Sequence, residues 1–278
     1  MSKWNMIIDV AECTNCHLCT LATSDEYVGN EFKGYSAPMP KHGHKWIDIL
    51  KKERGQGTMI DIAYVPTMCN HCDDAPCLKS ARDSAVRKRD DGVVLIDPVK
   101  SKGQKQIVDA CPYGHVWWNE ELQIPQAWNF DAHLLDAGWK QTRGGQVCPT
   151  GAMKAVKLDD ADMAARAAAE GLEQMKPELG TKPRVWYRNL APFKTAFVGG
   201  SVARIVDGLV ECAEGETVAL SKDGKEVARL TTDNYGDFKF DGLPENSGAY
   251  VVEIRSAGGA KRVDVVVKDS VSLGEIRL

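Results

Sequence analysis

Cysteines are the residues whose spacing points most clearly to chemistry in this 278-residue chain, which contains nine of them. Six fall in two tight triplets, Cys13-x-x-Cys16-x-x-Cys19 and Cys69-x-x-Cys72-x4-Cys77. Such spacing lets a loop curl around one 4Fe–4S cubane, with three thiolates on three irons and backbone N–H groups directed at the sulfurs. Each triplet therefore predicts an iron–sulfur site that still lacks one ligand.

Two distant cysteines, each followed by proline, are candidates for the missing ligands. They begin the sequences Cys111-Pro112-Tyr113-Gly114 and Cys148-Pro149-Thr150-Gly151-Ala152. Proline after a ligand fixes the turn by which the chain leaves the cluster. The two triplets and two single residues use eight of the nine cysteines, which predicts two complete 4Fe–4S clusters. The ninth, Cys212, lies far along the chain, and we expect it to be a small buried hydrophobic side chain.

Structural zinc is the main alternative for a region so rich in cysteine. Zinc would suit the C-x-x-C pairs, but it has no use for the third cysteine of each triplet. A disulfide framework suits a small secreted domain, and the first residues, MSKWNMIIDV, carry no secretory signal. The pattern therefore favours iron–sulfur clusters.

Composition and charge narrow the remaining function classes. A net charge of −4 and a pI of about 5.9 argue against a dedicated nucleic-acid binder. No run of apolar residues is long enough for a membrane span. The basic stretch Lys79–Arg89 is interpreted as a solvated face. No carboxylate pair or nucleophile–base set has the spacing of a known catalytic motif. We therefore expect the residues that act on the substrate to lie on another subunit.

The pattern of elements predicts an α+β fold that begins with a ferredoxin-like 4Fe–4S domain over residues 1–158. Strand-length apolar runs occupy Met6–Val10, Asp61–Val65 and Val93–Asp97. Residues Val99–Ala110 are predicted to form a short helix leading into Cys111. The Gly-, Lys- and His-containing segment Asn30–Gln56 is predicted to be a surface insertion.

A helix and an extended linker that packs on a partner are predicted over residues 159–197. The acidic start and the alanines of Asp159–Met175 favour the helix, and the prolines that follow favour the linker. Residues 198–278 alternate apolar and polar side chains in short runs, which predicts an all-β sandwich. The runs are Thr217–Ser221, Lys225–Thr232, Asp237–Asp241, Ala249–Arg255, Lys261–Val267 and Glu275–Leu278, and Asp223-Gly224 marks a tight turn between the first two. The sequence TTDNYGDFKFDGLPENSGAYVVEI resembles the transthyretin-like or Cna-type B folds.

The four cysteine motifs resemble those of the electron-transfer subunits of molybdopterin oxidoreductases of the dimethyl sulfoxide reductase family. This resemblance covers residues 1–158 and implies paired ferredoxin-like halves. It also implies the pairing of triplets with single cysteines. The first cluster would be held by Cys13, Cys16, Cys19 and Cys148, and the second by Cys69, Cys72, Cys77 and Cys111.

A nearer resemblance covers almost the whole chain, including the β domain. The segments IDVAECTNC, CNHCDDAPC, VVLIDP, ACPYGHVWWNEE, DAHLLD and KPELGTKPRVWYRNL are similar to the small subunits of the pyrogallol–phloroglucinol transhydroxylase and resorcinol hydroxylase group. The resemblance implies a cytoplasmic complex, as a heterodimer or a multiple of it. Its large catalytic subunit would carry molybdenum in a bis-molybdopterin guanine dinucleotide cofactor together with the phenolic substrate site, and an electron acceptor protein is a possible further partner.

The chain departs from this group at one site. Small subunits of the group hold a further cluster between these two, and the matching positions here are Thr23, Trp128, Asp131 and Gly144. Tryptophan and glycine cannot ligate iron, and threonine is a poor candidate. We therefore expect no third cluster, with Trp128 filling part of the vacated volume as a core aromatic residue.

Several functions stay open on the sequence alone. The two clusters could be largely structural, could serve an acceptor that docks near the first cluster, or could store an electron locally. The chain could also be the electron-transfer subunit of a thiosulfate, polysulfide or oxyanion reductase, although the β domain argues against this. A cluster-stabilised scaffold whose β domain binds a partner is the alternative from a different class.

Overall fold

A computed structural model describes residues 1–256 and 259–278, which separate into two compact units. The first unit contains residues 1–50 and 64–190, and the second contains residues 51–63 and 191–278. The predicted linker, residues 159–197, is therefore divided between the two units. Among the residues described, no helix combines the length and the apolar character needed to cross a bilayer.

The first unit is built from short helices and strands joined by long loops. In chain order its elements are β1 (Lys3–Asp9), α1 (Leu18–Tyr27), β2 (Ile47–Gln56), β3 (Met59–Met68), α2 (Pro76–Ser80), β4 (Val86–Lys88), β5 (Val94–Ile96), α3 (Gln106–Asp109), β6 (Trp117–Asn119), β7 (Ile124–Gln126), α4 (Ala132–Asp136), α5 (Arg143–Val147), β8 (Met153–Leu158), α6 (Asp160–Glu170) and β9 (Val185–Arg188). The outer part of the β2–β3 hairpin belongs to the second unit. Strands β1, β3 and β5 confirm the three strand predictions made for this half.

A three-stranded sheet in the order β8-β1-β9 organises this unit. Strand β1 is antiparallel to β8 and parallel to β9. Helix α6 packs on it through Met163 and Ala167, which share a small core with Ile7. The side chain of Asp159 caps the helix by accepting from the Asp162 N–H at 2.9 Å, and Gly171 ends it in a left-handed conformation. The predicted helix is thus confirmed.

Two predictions for this unit are wrong. The segment Val99–Ala110 is helical only over α3, because Asp97 turns the chain by accepting from the N–H groups of Val99 and Lys100 at 2.9 and 3.0 Å. The segment Asn30–Gln56 is not simply a surface insertion, since it contains β2. Trp46 within it is almost fully buried, with its ring centroid 4.7 Å from that of Tyr27. Burial of this aromatic side chain pulls the end of the insertion into the core.

The second unit consists of two four-stranded sheets. Its elements are α7 (Ala191–Lys194), β10 (Thr195–Val206), β11 (Leu209–Cys212), β12 (Thr217–Lys222), β13 (Lys225–Thr231), β14 (Asp237–Pro244), β15 (Gly248–Ser256), β16 (Gly259–Val267) and β17 (Val271–Arg277). One sheet has the order β11-β10-β14, with β17 also paired to β10, and the other has the order β13-β12-β15-β16. Apolar side chains from both sheets form one core. The predicted strands are confirmed, and β10 and β11 are additional. The prediction that Cys212 is a small buried side chain is wrong, because it lies on β11, an edge strand whose four residues are all exposed.

Turn chemistry and a buried ion pair fix this unit locally. Asp223 and Gly224 have φ values of +50° and +74°, as a tight turn between β12 and β13 requires. Arg54, whose side chain is fully buried, donates to both carboxylate oxygens of Asp241 at 2.8 and 3.0 Å and also pairs with Asp61. This pairing explains why the tip of the β2–β3 hairpin belongs to the second unit.

Two glycines with the same backbone conformation provide a test of the packing in the second unit. Gly236 has a φ of +77°, and a Cβ atom there would lie 2.2 Å from the carbonyl oxygen of Val202. Gly224 has a φ of +74° with open space around it. We expect Gly224→Ala to cost about 1 kcal/mol for the left-handed conformation, and Gly236→Ala to cost on the order of 3 kcal/mol because backbone must also move. Hydrogen exchange of β10 and β14 in the full chain measures this difference, and equal effects would contradict the packing.

Candidate metal centres

The first cysteine group surrounds one cavity. Its four cysteines are Cys13, Cys16, Cys19 and Cys148, and apolar side chains complete the wall. The loop after β1 can curl because Asn15 and His17 both adopt the left-handed conformation, each with a φ of +58°. Helix α1 begins directly after this loop and packs against α5, whose last residue precedes Cys148. This helix pair brings the remote cysteine to the triplet.

The second cysteine group is built in the same way. The loop after β3 carries Cys69 and Cys72, and the short helix α2 carries Cys77. Helix α2 packs against α3, which ends just before Cys111. Cys77 and Cys111 pack against the same small core, which includes Val94. The four cysteines of each group therefore lie near one another.

Both remote cysteines begin the same kind of turn. The N–H of Gly114 donates to the carbonyl oxygen of Cys111 at 3.1 Å, and the N–H of Gly151 donates to that of Cys148 at 3.3 Å. The two glycines have φ values of +69° and +71°. Proline in the second position and glycine in the fourth position suit such a turn. The turn leads the chain away from the sulfur immediately after the cysteine.

Burial and mutual repulsion disfavour the thiolate form of several cysteines in both groups. Burial raises the pKa of Cys69 well above that of a free thiol, and the neighbouring charges of Cys77, Cys111 and Cys72 raise it further. Burial, followed by smaller contributions from Cys13 and Cys16, raises the pKa of the Cys19 thiol to about 11. Thiolates are the form that binds metal, so a bound cation must offset both the burial and the mutual repulsion.

Hydrogen-bond donors contact the sulfur of the remote cysteine in each site. Burial raises the pKa of Cys148, but the hydroxyl of Thr150 and the N–H groups of Met153, Thr150 and Ala152 together bring it below the usual value. The N–H of His115 points at the Cys111 sulfur at 3.4 Å. Backbone N–H groups directed at cysteine sulfur are typical of iron–sulfur sites, where they stabilise the negative cluster.

The donor set fits a cubane better than a single ion. All nine cysteines are free thiols. Among residues 1–256 and 259–278, no three His, Cys, Asp or Glu side chains converge closely enough to hold one metal ion. A zinc site requires four sulfurs at about 2.3 Å from one centre. A 4Fe–4S cluster instead takes one thiolate at each of its irons, so its four sulfurs stand further apart.

A buried cavity beside the second group contains hydrogen-bond donors that also suit an acceptor-rich cluster. Cys69 and Cys77 line this cavity together with Ser36, Trp46 and Asn129. The Ser36 hydroxyl, the Trp46 indole N–H and the Asn129 amide nitrogen are buried and have no hydrogen-bond partner in the described part of the chain. Buried donors normally find an acceptor. Cluster sulfides or bound water would supply one.

The four positions expected to have lost a third cluster lie in a packed interior. Trp128 and Asp131 are fully buried, and the Trp128 indole N–H donates to an Asp131 carboxylate oxygen at 3.0 Å. The same carboxylate accepts from the Tyr27 hydroxyl at 2.7 Å and from the Arg143 N–H at 2.8 Å. The ring of Trp128 stacks on Phe130 with centroids 4.9 Å apart.

Thr23 and Gly144 occupy the other two positions. The buried Thr23 hydroxyl donates to the carbonyl oxygen of Cys19 at 2.9 Å. A Cβ atom on Gly144 would lie 3.4 Å from the side chains of Cys19, Ile47 and Met153. A Cβ atom here would make ordinary van der Waals contact, so α5 packs closely on the first cysteine group without requiring glycine.

The sequence does not predict the contacts that Lys88 makes with the second cysteine loop. Lys88 was assigned to a solvated basic run, yet its amino group donates to the carbonyl oxygens of His71 and Cys72, both at 2.9 Å. It also pairs with Asp73 at 2.8 Å. One sequence feature could have indicated this role of Lys88: it ends β4, directly before the turn to the buried strand β5.

The comparisons with known proteins agree with this geometry. Residues 60–158 match the 4Fe-4S dicluster domain family. The chain is 44% identical over 282 aligned residues to the pyrogallol hydroxytransferase small subunit of Pelobacter acidigallici, with both chains covered completely. It is 26% identical to the arsenate respiratory reductase iron-sulfur subunit of Shewanella sp., covering 70% of this chain and all of that one. It is 25% identical to the thiosulfate reductase electron transfer subunit of Salmonella typhi, covering 58% of this chain and 80% of that one. The chain therefore belongs to the family of pyrogallol hydroxytransferase small subunits, among the iron–sulfur electron-transfer subunits of molybdopterin enzymes.

Proposed function

We propose that this chain is the iron–sulfur subunit of a molybdopterin-dependent enzyme that inserts, transfers or removes a hydroxyl group on a phenolic ring of the resorcinol or pyrogallol type. The observation that carries the proposal is the 44% identity, over the full length of both chains, to a pyrogallol hydroxytransferase small subunit. The arsenate reductase subunit matches only 70% of this chain. A respiratory reductase partner is therefore the weaker alternative.

The first proposed cluster is held by Cys13, Cys16, Cys19 and Cys148, and the second by Cys69, Cys72, Cys77 and Cys111. The shared cavity of the first group and the matched helix pairs α1–α5 and α2–α3 support this division. When bound, each cluster accepts and releases one electron. The chain supplies thiolates, aligned N–H donors and shielding from water, which together set the potential.

The substrate chemistry belongs to a partner in this proposal. A large catalytic subunit would carry molybdenum in a bis-molybdopterin guanine dinucleotide cofactor, and the assembly would be a heterodimer or a multiple of it. A cytoplasmic location, as the resemblance to this group implies, is part of the proposal. For the second unit we propose a transthyretin-like or Cna-B-type sandwich, supported by its two sheets around one core.

The proposal includes no third cluster. Of the four matching positions, Thr23, Trp128 and Gly144 offer no suitable iron ligand. The carboxylate of Asp131 is engaged by Tyr27, Trp128 and Arg143 instead. Trp128 packs as an ordinary core aromatic residue.

Iron analysis of the co-purified complex tests the ligand assignment. We expect about eight iron atoms attributable to this chain, four for each cluster. Cys148→Ser should lower the iron content by about four atoms, because it removes a ligand of the first cluster only. Cys212→Ser is the matched control and should change nothing, since Cys212 is exposed on β11. About twelve iron atoms would refute the absence of a third cluster, and a complex without molybdenum would refute the proposed partner.

Reduction of the clusters distinguishes an electron carrier from a scaffold. Anaerobic treatment of the complex with dithionite should produce electron paramagnetic resonance signals from two reduced clusters. Reoxidation should abolish the signals, and a second reduction should restore them. If neither cluster of the intact complex can be reduced, the carrier role loses its basis.

Replacement of Asp131 tests the network at the third-cluster position. Asp131→Ala would leave the buried N–H groups of Trp128 and Arg143 without acceptors, which costs about 1–3 kcal/mol for each group. Asp90→Ala, at an exposed aspartate, is the surface control and should cost less than about 0.5 kcal/mol. Chemical denaturation of the full chain with its clusters measures both. Equal stability of the two variants would show that the network contributes nothing.

A further inference from the structure

A buried lysine supports the loop that presents the second cysteine group. The amino group of Lys88 donates to the carbonyl oxygens of His71 and Cys72 at 2.9 Å each and to that of Gly92 at 3.1 Å. It also pairs with Asp73 at 2.8 Å, and its side chain is only 20% exposed. The three carbonyl oxygens and the Asp73 carboxylate together hold the ammonium group beside the loop.

The charge of Lys88 belongs to a wider network. Arg184, with a side chain only 4% exposed, donates to both carboxylate oxygens of Asp73 at 2.7 and 2.6 Å. It also donates to Asp160 at 2.9 Å, and Lys3 pairs with the same carboxylate at 2.6 Å. Three cations thus share two carboxylates, which leaves one net positive charge beside the second loop.

We propose that Lys88 raises the reduction potential of the cluster held by the second cysteine group. Reduction adds one negative charge to the cluster, and a fixed cation that is shielded from water stabilises that charge. The inference rests on the proposed function, because it requires a 4Fe–4S cluster on Cys69, Cys72, Cys77 and Cys111. It adds a residue that tunes the cluster without ligating it.

The effect is specific to the second cluster. In the first loop, the carbonyl oxygen of Cys19 accepts from the neutral hydroxyl of Thr23. Lys88 donates instead to the carbonyl oxygen of Cys72, which is itself a proposed ligand of the second cluster. The charge therefore makes the two clusters unequal and favours the second as the place where an electron rests.

A purely structural role for Lys88 makes a different prediction from an electrostatic one. If Lys88 only holds the loop in shape, then loss of Lys88 and loss of Asp73 would disturb the site in similar ways. If its charge matters, the two substitutions act in opposite directions. Lys88→Met removes a positive charge and lowers the potential, whereas Asp73→Asn removes a negative charge and raises it.

Redox titration of the intact complex, followed by electron paramagnetic resonance, tests the proposal. The signal that survives in Cys148→Ser identifies the second cluster. We expect the midpoint potential of this signal to fall in Lys88→Met, to rise in Asp73→Asn and to stay near the parent value in Lys88→Arg. Lys79→Met is the matched control. Lys79 is two residues from the proposed ligand Cys77 in the sequence, but its side chain is 64% exposed. Neither the control nor the first cluster should shift.

Each outcome decides the proposal. Opposite shifts in Lys88→Met and Asp73→Asn support it, and shifts in the same direction or no shift overturn it. If Lys88→Met loses the second cluster, seen as about four fewer iron atoms, the remaining variants decide. A raised potential in Asp73→Asn with an unchanged one in Lys88→Arg then supports the charge effect, and any other result overturns it. Absence of both signals in the parent complex contradicts the proposed function itself.

Discussion

The repulsion among thiolates gathered in a partly dry interior is the constraint on which this structure depends. Burial raises the pKa of the Cys77 thiol to about 11, and the charges of Cys111 and Cys72 add to the shift. The fold alone does not remove this cost, so the metal must contribute to the stability of the first unit. Four of the eight corners of a 4Fe–4S cubane are iron and each iron binds one thiolate, so the proposed clusters require the cysteines in sets of four. The helices and turns around the cysteines can be short, because they only have to position the sulfur atoms for a cluster that completes the fold.

The first unit builds its two cysteine groups from the same kinds of elements. A curled loop and a short helix carry three cysteines, a second short helix packs on the first, and a Cys-Pro-x-Gly turn delivers the fourth. The two groups differ in their surroundings. Cys16 of the first group is exposed to solvent, whereas His71 in the second loop is fully buried and burial lowers its pKa to about 3. The His71 Nδ1 accepts from the Val94 N–H at 3.0 Å, and the cation that contacts the carbonyl oxygens of this loop is Lys88.

Local features of the fold could be predicted from the sequence, and features that depend on distant pairing could not. Ligand spacing and period-two alternation are short-range signals, which is why the sequence predicts the cysteine groups and strands β12 to β17. Strand β9 pairs in parallel with β1, nearly the whole length of the first unit away along the chain, and its neighbouring prolines suggested an extended linker. Strand β10 contains Gly199 and Gly200 and lacks a clear alternation. Lys88 was missed because a basic run is usually solvated, and only its tertiary contacts show otherwise.

On the proposal that a third cluster has been lost, its four expected positions argue for coordinated replacement. Loss of one cysteine would leave other thiols unpartnered, and loss of all four would leave a void that destabilises the core. Here each position does something different: Trp128 fills volume, Asp131 accepts from three donors, Thr23 donates to the Cys19 carbonyl oxygen, and Gly144 packs beside Cys19. Restoring a single cysteine would therefore rebuild no site. On the proposal that two clusters remain, electrons that pass between them must cross this packed aromatic and carboxylate interior, so the difference between the two cluster potentials decides where an electron stays.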